Sequence, residues 1–284
     1  LGIEGEDSAS VMDGMAFLRD VNLGQKVNVG EKVAVIGSGY AAAQAARVAL
    51  RLGAKSAVII CTKKELAIPS DEAAETFVEG VEFKANASPV KITKADGKLR
   101  LECAPAGRKR IKVNGSGFAI EADNIIVATS ATVELPDQFG LGLGDKHGIQ
   151  VNPDDLSTGR KGVFAGGDAV TGEHTFIDAV AAGRKAAVCI DRFLGGSGNI
   201  EEALAPVDKG IPKVGRIPGF AQRKRVSMPT AAAVLRRTNF AKVELGFGDQ
   251  AGAEEALRCM GCDLRFMVAK MVAQPPLSVV KTKA

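Results

Sequence analysis

The stretch at residues 37–42, Gly-Ser-Gly-Tyr-Ala-Ala, has the form G-x-G-x-x-A. The first glycine permits a tight turn, the second lets a pyrophosphate approach the backbone, and the small third residue lets a helix pack on a strand. The apolar run before it predicts a buried strand, and the alanine-rich run after it predicts a helix whose free N–H groups attract phosphate. This context favours dinucleotide binding over a purely structural turn. The residues predicted to bind are Gly37, Ser38, Gly39, Tyr40 and Ala41.

The residue that ends the next strand usually reads the ribose of the dinucleotide. An acid there favours NAD, and a base accommodates the 2′-phosphate of NADP. Here the strand ends in Cys61 and Thr62, followed by Lys63 and Lys64. The two lysines are therefore candidates for a 2′-phosphate site, and two solvated surface lysines are the alternative.

A second stretch, residues 162–187, predicts a strand, a glycine turn, an acidic residue and a helix. The carboxylate of Asp168, after Gly167, can accept hydrogen bonds from ribityl or ribose hydroxyls. A helix beginning at Thr175 and Phe176 would point N–H groups at the flavin edge where negative charge accumulates on reduction. We predict that these four residues form the closing half of an FAD site, with an ordinary turn and helix cap as the alternative. Nothing earlier in the chain provides the opening half.

Composition excludes several classes of protein. The net charge of +4 over 284 residues is too small to indicate nucleic acid or membrane binding. No apolar run is long enough to span a bilayer, and the acidic N-terminal residues are unlike a signal peptide. The five cysteines are odd in number and mostly scattered, which indicates a reducing, cytoplasmic compartment without a disulfide framework.

The elements needed to position these residues follow from local patterns. We expect a helix near residues 11–21, the β-α-β unit around the glycine turn, and a short acidic helix capped by Ser70. The helix after the turn has an apolar stripe and should stop at Gly53. Alternating residues from 88 to 130, with turns at Asp96-Gly97 and Asn114-Gly115, predict antiparallel strands. Beyond Gly195 the composition predicts an extended basic arm and a short helix over 254–267.

The two motifs, in this order and spacing, resemble the small (β) subunit of glutamate synthase and its relatives. The resemblance covers about residues 1–195 and rests on "KVAVIGSGYAAAQAARVALRLGAKSAVII" and "GVFAGGDAVTGEHTFIDAVAAGRKAA". These relatives are FAD- and NAD(P)H-dependent electron-transfer flavoproteins, often with Fe–S clusters. In them an NAD(P)-binding domain is inserted into an FAD-binding domain, whose own G-x-G-x-x-G lies upstream of the position of Leu1. The chain thus resembles the C-terminal part of such a protein.

The resemblance implies an α/β fold: a Rossmann-like NAD(P)-binding domain inserted in a partial FAD-binding domain of the two-dinucleotide-binding-domain flavoprotein type, with an extended C-terminal arm. The expected divisions are residues 1–30 (FAD-domain end and linker), 31–130 (NAD(P)), 131–200 (FAD) and 201–284 (arm). Five residues at three sites depart from the family. Cys61-Thr62-Lys63 stands where Tyr-Arg-Arg is frequent, Ser130 replaces a usual glycine, and His174 stands where small residues are usual.

A Cys-x-x-Cys pair, Cys259 and Cys262, lies in "EEALRCMGCDLRF" and is similar to the tail of anaerobic relatives, which lies near or in an Fe–S region. Two thiolates are half of a cluster or zinc site. The remaining cysteines, Cys61, Cys103 and Cys189, fall in predicted core elements. The pair is therefore a candidate metal site completed by other ligands, with a redox dithiol or an inert pair as alternatives.

These observations predict an enzyme subunit that passes electrons from NAD(P)H through FAD to Fe–S centres or a partner subunit. No side chain is assigned as acid, base or nucleophile, because hydride transfer between cofactors needs none. The alternative is a docking or scaffold subunit that retains the nucleotide-binding fold. A disulfide reductase acting through the Cys-x-x-Cys pair is disfavoured, because that pair lies in a tail.

Overall fold

The structure is a computed structural model of the chain. It describes residues 1–95, 97–107, 117–129, 133–144, 148–172, 175–200, 219 and 222–258. These residues belong to two compact units, Leu1–Glu201 with Ala232–Ala241, and Glu202–Ala231 with Lys242–Ala284. The first contains both sheets and the candidate site.

A five-stranded parallel sheet is the frame of the first unit. Its strands are β1 (Val11–Asp13), β2 (Lys32–Ile36), β3 (Ser56–Ile60), β4 (Glu82–Lys84) and β8 (Asn124–Val127), in the order β1-β8-β2-β3-β4. Three helices accompany these strands along the chain: α1 (Gly14–Asn22), α2 (Tyr40–Arg51) and α3 (Ser70–Val78). The parallel order with crossover helices is that of a Rossmann-like domain.

Three antiparallel strands form a second sheet in the order β5-β6-β7. They are β5 (Ala87–Ala95), β6 (Lys98–Pro105) and β7 (Phe118–Ala122). The residues of β2 pack alternately on two sides: Val33 and Val35 join the core that contains α2, whereas Ala34 and Ile36 join the core of the antiparallel sheet. Burial on both faces explains why β2 is a continuous apolar run.

The predicted apolar stripe of α2 is confirmed. Five residues along it, Ala42, Ala45, Ala46, Ala49 and Leu50, are buried in the core. Small side chains let α2 lie close to the sheet, which is the role of the small third residue of the motif, here Ala42. Gly53 follows with a φ of +107°, a conformation that suits glycine at a helix end.

Several local predictions were wrong. Residues 11–13 form a strand before α1, because they pair with β8. Strand β8 pairs in parallel with β2 and β1, whereas antiparallel pairing was expected for this segment. Ser70 is the first residue of α3 and Pro69 is its N-cap, without a side-chain hydrogen bond. The second predicted turn, Asn114-Gly115, lies outside the described residues.

The chain beyond β8 is mostly irregular until two helices, α4 (Asp168–Thr171) and α5 (Phe176–Phe193). The predicted strand before Gly166 is not a strand here; only Phe164 makes an isolated bridge, with Ser157. The expected helix after Thr175 is confirmed. None of the helices in the described part of the chain is long and apolar enough to cross a membrane.

Two short helices follow in the predicted arm. They are α6 (Ala233–Arg236), in the first unit, and α7 (Asp249–Ala256), in the second. Within the second unit Thr230 bridges Glu244, and the Val226 N–H donates to Glu255 Oε2 at 2.8 Å. The helix was predicted further along, over 254–267; residues 259–284 lie outside the described part.

Candidate dinucleotide-binding cleft

The first glycine of the turn is fixed by a close approach between helix and sheet. A Cβ on Gly37 would lie 2.2 Å from the Ala128 carbonyl oxygen and 2.9 Å from the Ala42 Cβ. The Gly37 N–H donates to Ile60 O at 3.1 Å, and the Ala128 N–H donates to Ile36 O at 2.7 Å. The turn is therefore held between the ends of β2, β3 and β8.

The second glycine has the opposite surroundings. A Cβ on Gly39 would meet no protein atom within 4 Å, so the backbone is open to a ligand at this point. Gly39 is the N-cap of α2 and provides no side-chain cap. Among the described residues, no hydrogen-bond partner is found for the N–H groups of Tyr40 and Ala41. Open N–H groups at the N-terminus of a helix are suited to a phosphate.

The loop after β3 lies beside the glycine turn. The Ala67 N–H donates to Ser38 O at 2.7 Å, which connects the end of this loop to the glycine turn. The Lys63 N–H donates to Cys61 Sγ at 3.1 Å, and Lys63 O accepts from the Asn86 N–H at 3.1 Å. Lys63 thus has a fixed backbone beside the turn, with an exposed side chain.

The second motif presents a different kind of helix start. Thr175 is the N-cap of α5 in a complete capping box: its Oγ1 accepts from the Asp178 N–H at 3.3 Å, and its own N–H donates to Asp178 Oδ2 at 3.2 Å. The box satisfies two of the N–H groups that were expected to face a flavin. The backbone N–H groups of Phe176 and Ile177 have no hydrogen-bond partner among the described residues.

Gly167 precedes Asp168 with a φ of +67°, and a Cβ there would meet no atom within 4 Å. The positive φ explains the glycine, and the open space leaves room for a ligand close to the backbone. Asp168 is exposed. These features fit one side of an FAD site, since a carboxylate beside open backbone can accept hydrogen bonds from ligand hydroxyls.

A cleft of about 850 Å³ brings the two motifs together. Of the predicted site residues, it is lined by Gly37, Ser38, Gly39, Tyr40, Ala41, Lys63, Asp168 and Thr175. Gly167, Lys64 and Phe176 are not part of its lining. The volume is within the range of small-molecule and cofactor pockets.

The cleft also contains residues that the sequence analysis did not select, including Gln44, Thr62 and Asp178. Gln44 lies one turn after Tyr40 on α2, so helical spacing could have identified it. Asp178 is three residues after Thr175, the spacing of a capping box, which is a usable signal as well. His174 and Ser130 lie outside the described residues.

The candidate metal ligands Cys259 and Cys262 lie outside the described residues. Cys61, Cys103 and Cys189 are buried free thiols, and burial raises the pKa of Cys103 to about 11. A neutral buried thiol is a poor metal ligand. Within the described part of the chain, no group of three or more His, Cys, Asp or Glu could hold a metal ion.

The chain is similar in sequence to known oxidoreductase subunits. The NADP(+)-dependent formate dehydrogenase subunit beta of Moorella thermoacetica is 32% identical over 92% of this chain and 40% of its own length. The glutamate synthase [NADPH] small chain of Escherichia coli is 31% identical over 68% of this chain and 47% of its own length. The chain thus spans less than half of each relative.

Among solved structures, thioredoxin reductase of Lactococcus lactis matches 69% of this chain and 62% of its own, with a TM-score of 0.56 and 21% identity. This likeness supports the predicted two-dinucleotide-binding-domain fold. Residues 1–186 match the family described as pyridine nucleotide-disulphide oxidoreductase. The chain therefore belongs to this family of redox enzymes, and its expected kinship with the glutamate synthase small chain is confirmed.

Proposed function

We propose that this chain is the electron-transfer part of an NAD(P)H-dependent flavoprotein subunit. One observation carries the proposal: a single cleft is lined both by the glycine turn and by Asp168 and Thr175 of the second motif. A cofactor bound at the turn and one bound at the second motif would therefore share one space, as hydride transfer requires.

The pyrophosphate of NAD(P)H would lie at the N-terminal end of α2, against Gly39 and the N–H groups of Tyr40 and Ala41. Lys63 would face the ribose end and favour a 2′-phosphate, in keeping with the NADP(+) and NADPH in the names of the two relatives. The side chain of Tyr40, about half exposed at the start of α2, would border the nicotinamide half of the cleft.

FAD would be held on its ribityl and flavin side by Gly167, Asp168 and the start of α5. Bound FAD would accept hydride from the nicotinamide and release electrons one at a time. The chain's contribution is binding and orientation. Electrons would pass to Fe–S centres or a partner subunit, and Cys259 and Cys262 are the proposed metal ligands.

The start of α5, next to the cleft-lining residue Thr175, is exposed, and this supports a further element of the proposal. Phe176 and Ile177 at the start of α5 are 81% and 72% exposed. Large apolar side chains so exposed are typical of a surface that another polypeptide segment covers. We propose that such a segment completes the FAD site and carries the second glycine turn.

The test is anaerobic addition of NADPH to the protein as isolated. We expect bound flavin, with visible absorbance that bleaches on NADPH addition. In Gly39→Val the flavin should remain but the bleaching should be lost, because the new side chain occupies the phosphate position. Bleaching at the wild-type rate in Gly39→Val would contradict the assignment of the turn.

A docking or scaffold subunit is the second candidate. The exposed apolar residues at the start of α5 also fit this alternative, since a surface that only docks a partner would expose them too. A protein that contains no flavin, yet binds its partner with normal affinity, would support this alternative.

A further inference from the structure

Behind the cleft, at the C-terminal end of α2, a cluster of charged side chains joins three parts of the first unit. Its members are Arg47 and Arg51 of α2, Glu72, Glu75 and Glu79 on or beside α3, and Arg236 of α6. Three positive and three negative charges balance one another. We define the anchor segment as Ala232–Ala241, which contains α6 and Arg236.

Glu79 lies at the centre of the cluster and is fully buried. Its carboxylate accepts two hydrogen bonds from Arg47, at 2.6 and 3.0 Å, and two from Arg51, at 3.1 and 3.2 Å. A buried carboxylate with this set of donors retains its charge and gives the cluster a fixed geometry. The C-terminal end of α2 is thereby fastened to the end of α3.

Arg236 enters this cluster from far along the chain and is only 6% exposed. Its guanidinium pairs with Glu75 and lies 3.9 Å from Glu79. Its backbone carbonyl accepts from Arg51 Nε at 3.0 Å. Arg236 therefore contacts α3 through its side chain and α2 through its backbone.

Both of these helices lead directly to the nucleotide cleft. Helix α2 begins at Tyr40, immediately after Gly39. The loop before α3 carries Lys63, and its end is joined to the glycine turn by the hydrogen bond from Ala67 to Ser38. A change in the position of α3 relative to α2 would displace the lysine side of the cleft relative to the turn.

We propose that the anchor segment positions the cleft for nucleotide binding, with Arg236 as the positioning residue that holds α3 against α2. The inference rests on the proposed function, since it assumes that NAD(P)H binds at the turn. Docking of the anchor segment and binding of the nucleotide are then coupled, so weakening one weakens the other.

The experiment measures the dissociation constants of NADPH and NADH in the full chain carrying Arg236→Met. Methionine retains an apolar stem but removes the charge. Glu79 keeps Arg47 and Arg51, so the fold should persist, which circular dichroism and thermal unfolding will check. We expect the Kd for NADPH to rise about tenfold, within the usual range of coupling between sites. The Kd for NADH should rise less, because the displaced loop carries the lysine expected to meet the 2′-phosphate.

Arg237→Met is the matched control. Arg237 is the next residue in the chain, and its guanidinium lies against the backbone of Gly80 without a described ion pair. We expect its NADPH affinity to stay within about twofold of the wild type, below the usual range of coupling. Arg236→Lys, which restores the charge, should recover most of the affinity lost in Arg236→Met.

Glu75→Gln tests the same contact from α3, where the Glu75 side chain is about half exposed and its replacement is tolerated more easily. Like Arg236→Met, it should raise the Kd for NADPH. If Arg236→Met does not fold, Glu75→Gln alone tests whether the contact between Arg236 and α3 supports nucleotide binding. Wild-type NADPH affinity in folded Arg236→Met, or in Glu75→Gln if only that variant folds, would overturn the inference. A wild-type protein that binds neither nucleotide would instead refute the proposed function, and the inference with it.

Discussion

Gly37 and Gly39 lie two residues apart in one motif, and the structure gives them different roles. Packing within the protein requires glycine at position 37, because a side chain there would meet the Ala128 carbonyl. Gly39 leaves open space that suits a ligand. The motif therefore combines a packing requirement with a binding requirement, and substitutions should separate them.

We predict that Gly37→Ala destabilises the fold by about 1–3 kcal/mol, because the added methyl group collides with backbone that cannot move away. Gly39→Ala should leave the free energy of unfolding within about 0.5 kcal/mol of the wild type, as expected for a substitution that makes no contact. Urea unfolding of both variants measures the difference. Equal stabilities would show that helix and sheet are not in the close contact described here.

The two lysines after β3 are expected to contribute differently to NADPH binding. Lys63 lines the cleft and Lys64 does not. Because a hydrogen bond to a charged group contributes roughly 1.5–3 kcal/mol, Lys63→Ala should weaken NADPH binding by about tenfold or more while leaving NADH binding nearly unchanged. Lys64→Ala serves as the matched control and should have a smaller effect. NADPH and NADH are titrated in parallel. If Lys63→Ala weakened the binding of both nucleotides equally, the 2′-phosphate assignment would be contradicted.

At the scale of elements, the starts of α2 and α5 contrast within one cleft. Helix α2 begins without a side-chain cap and leaves N–H groups open, as a phosphate site requires. Helix α5 begins with a capping box that includes the carboxylate of Asp178. Part of its N-terminal positive potential is thereby already compensated, so under the proposed function a flavin would depend on the N–H groups of Phe176 and Ile177 and on Asp168.

The sequence indicates some of these elements better than others. The turn and the stripe of α2 are local patterns, and both were predicted correctly. Strands β1 and β4 have three residues each and exist through pairing with β8 and β3, which no local pattern reveals. The run before Gly166 has strand character but lacks the neighbouring strands that a sheet needs. The burial of Arg236 depends on Glu75, 161 residues away in the chain.

We predict that Glu79 couples α2 to α3 in a pH-dependent way. Burial alone would raise the pKa of Glu79, but hydrogen bonds from Arg47 and the charges of Arg47, Arg51 and Arg236 lower it below the usual 4.5. Its stabilising effect is therefore fully present above pH 4.5 and is lost as the pH falls through the lower pKa of the folded state.

The measurement is the stability difference between the wild type and Glu79→Gln, from urea unfolding at several pH values. At pH 7 the variant should be less stable by about 3 kcal/mol, because it leaves Arg47 and Arg51 without their buried carboxylate. Below pH 4.5 the difference should shrink. A difference that grows in acid would mean that the pKa shift has the opposite sign.

At the scale of the whole molecule, the described part of the chain contains the candidate dinucleotide cleft, and no group of three or more His, Cys, Asp or Glu in that part could hold a metal ion. In the proposed function, electrons from a bound flavin must pass on to an acceptor. The Cys259-x-x-Cys262 pair, outside the described residues, is the best candidate for that exit in the sequence. A Cys-x-x-Cys pair is half of a usual cluster ligand set, so a cluster at this pair would need further ligands.

We predict that Cys259→Ser and Cys262→Ser each lower the iron content of the anaerobically isolated protein and its reduction of an external electron acceptor. Bleaching of the flavin by NADPH should persist, because the proposed hydride transfer takes place in the cleft and not at the cysteine pair. Cys103→Ala is the control, since its buried thiol, with a pKa raised to about 11, is unsuited to bind metal. Iron analysis and stopped-flow spectroscopy separate the two steps. Unchanged iron content and unchanged acceptor reduction in both serine variants would contradict a metal-binding and redox role for the pair.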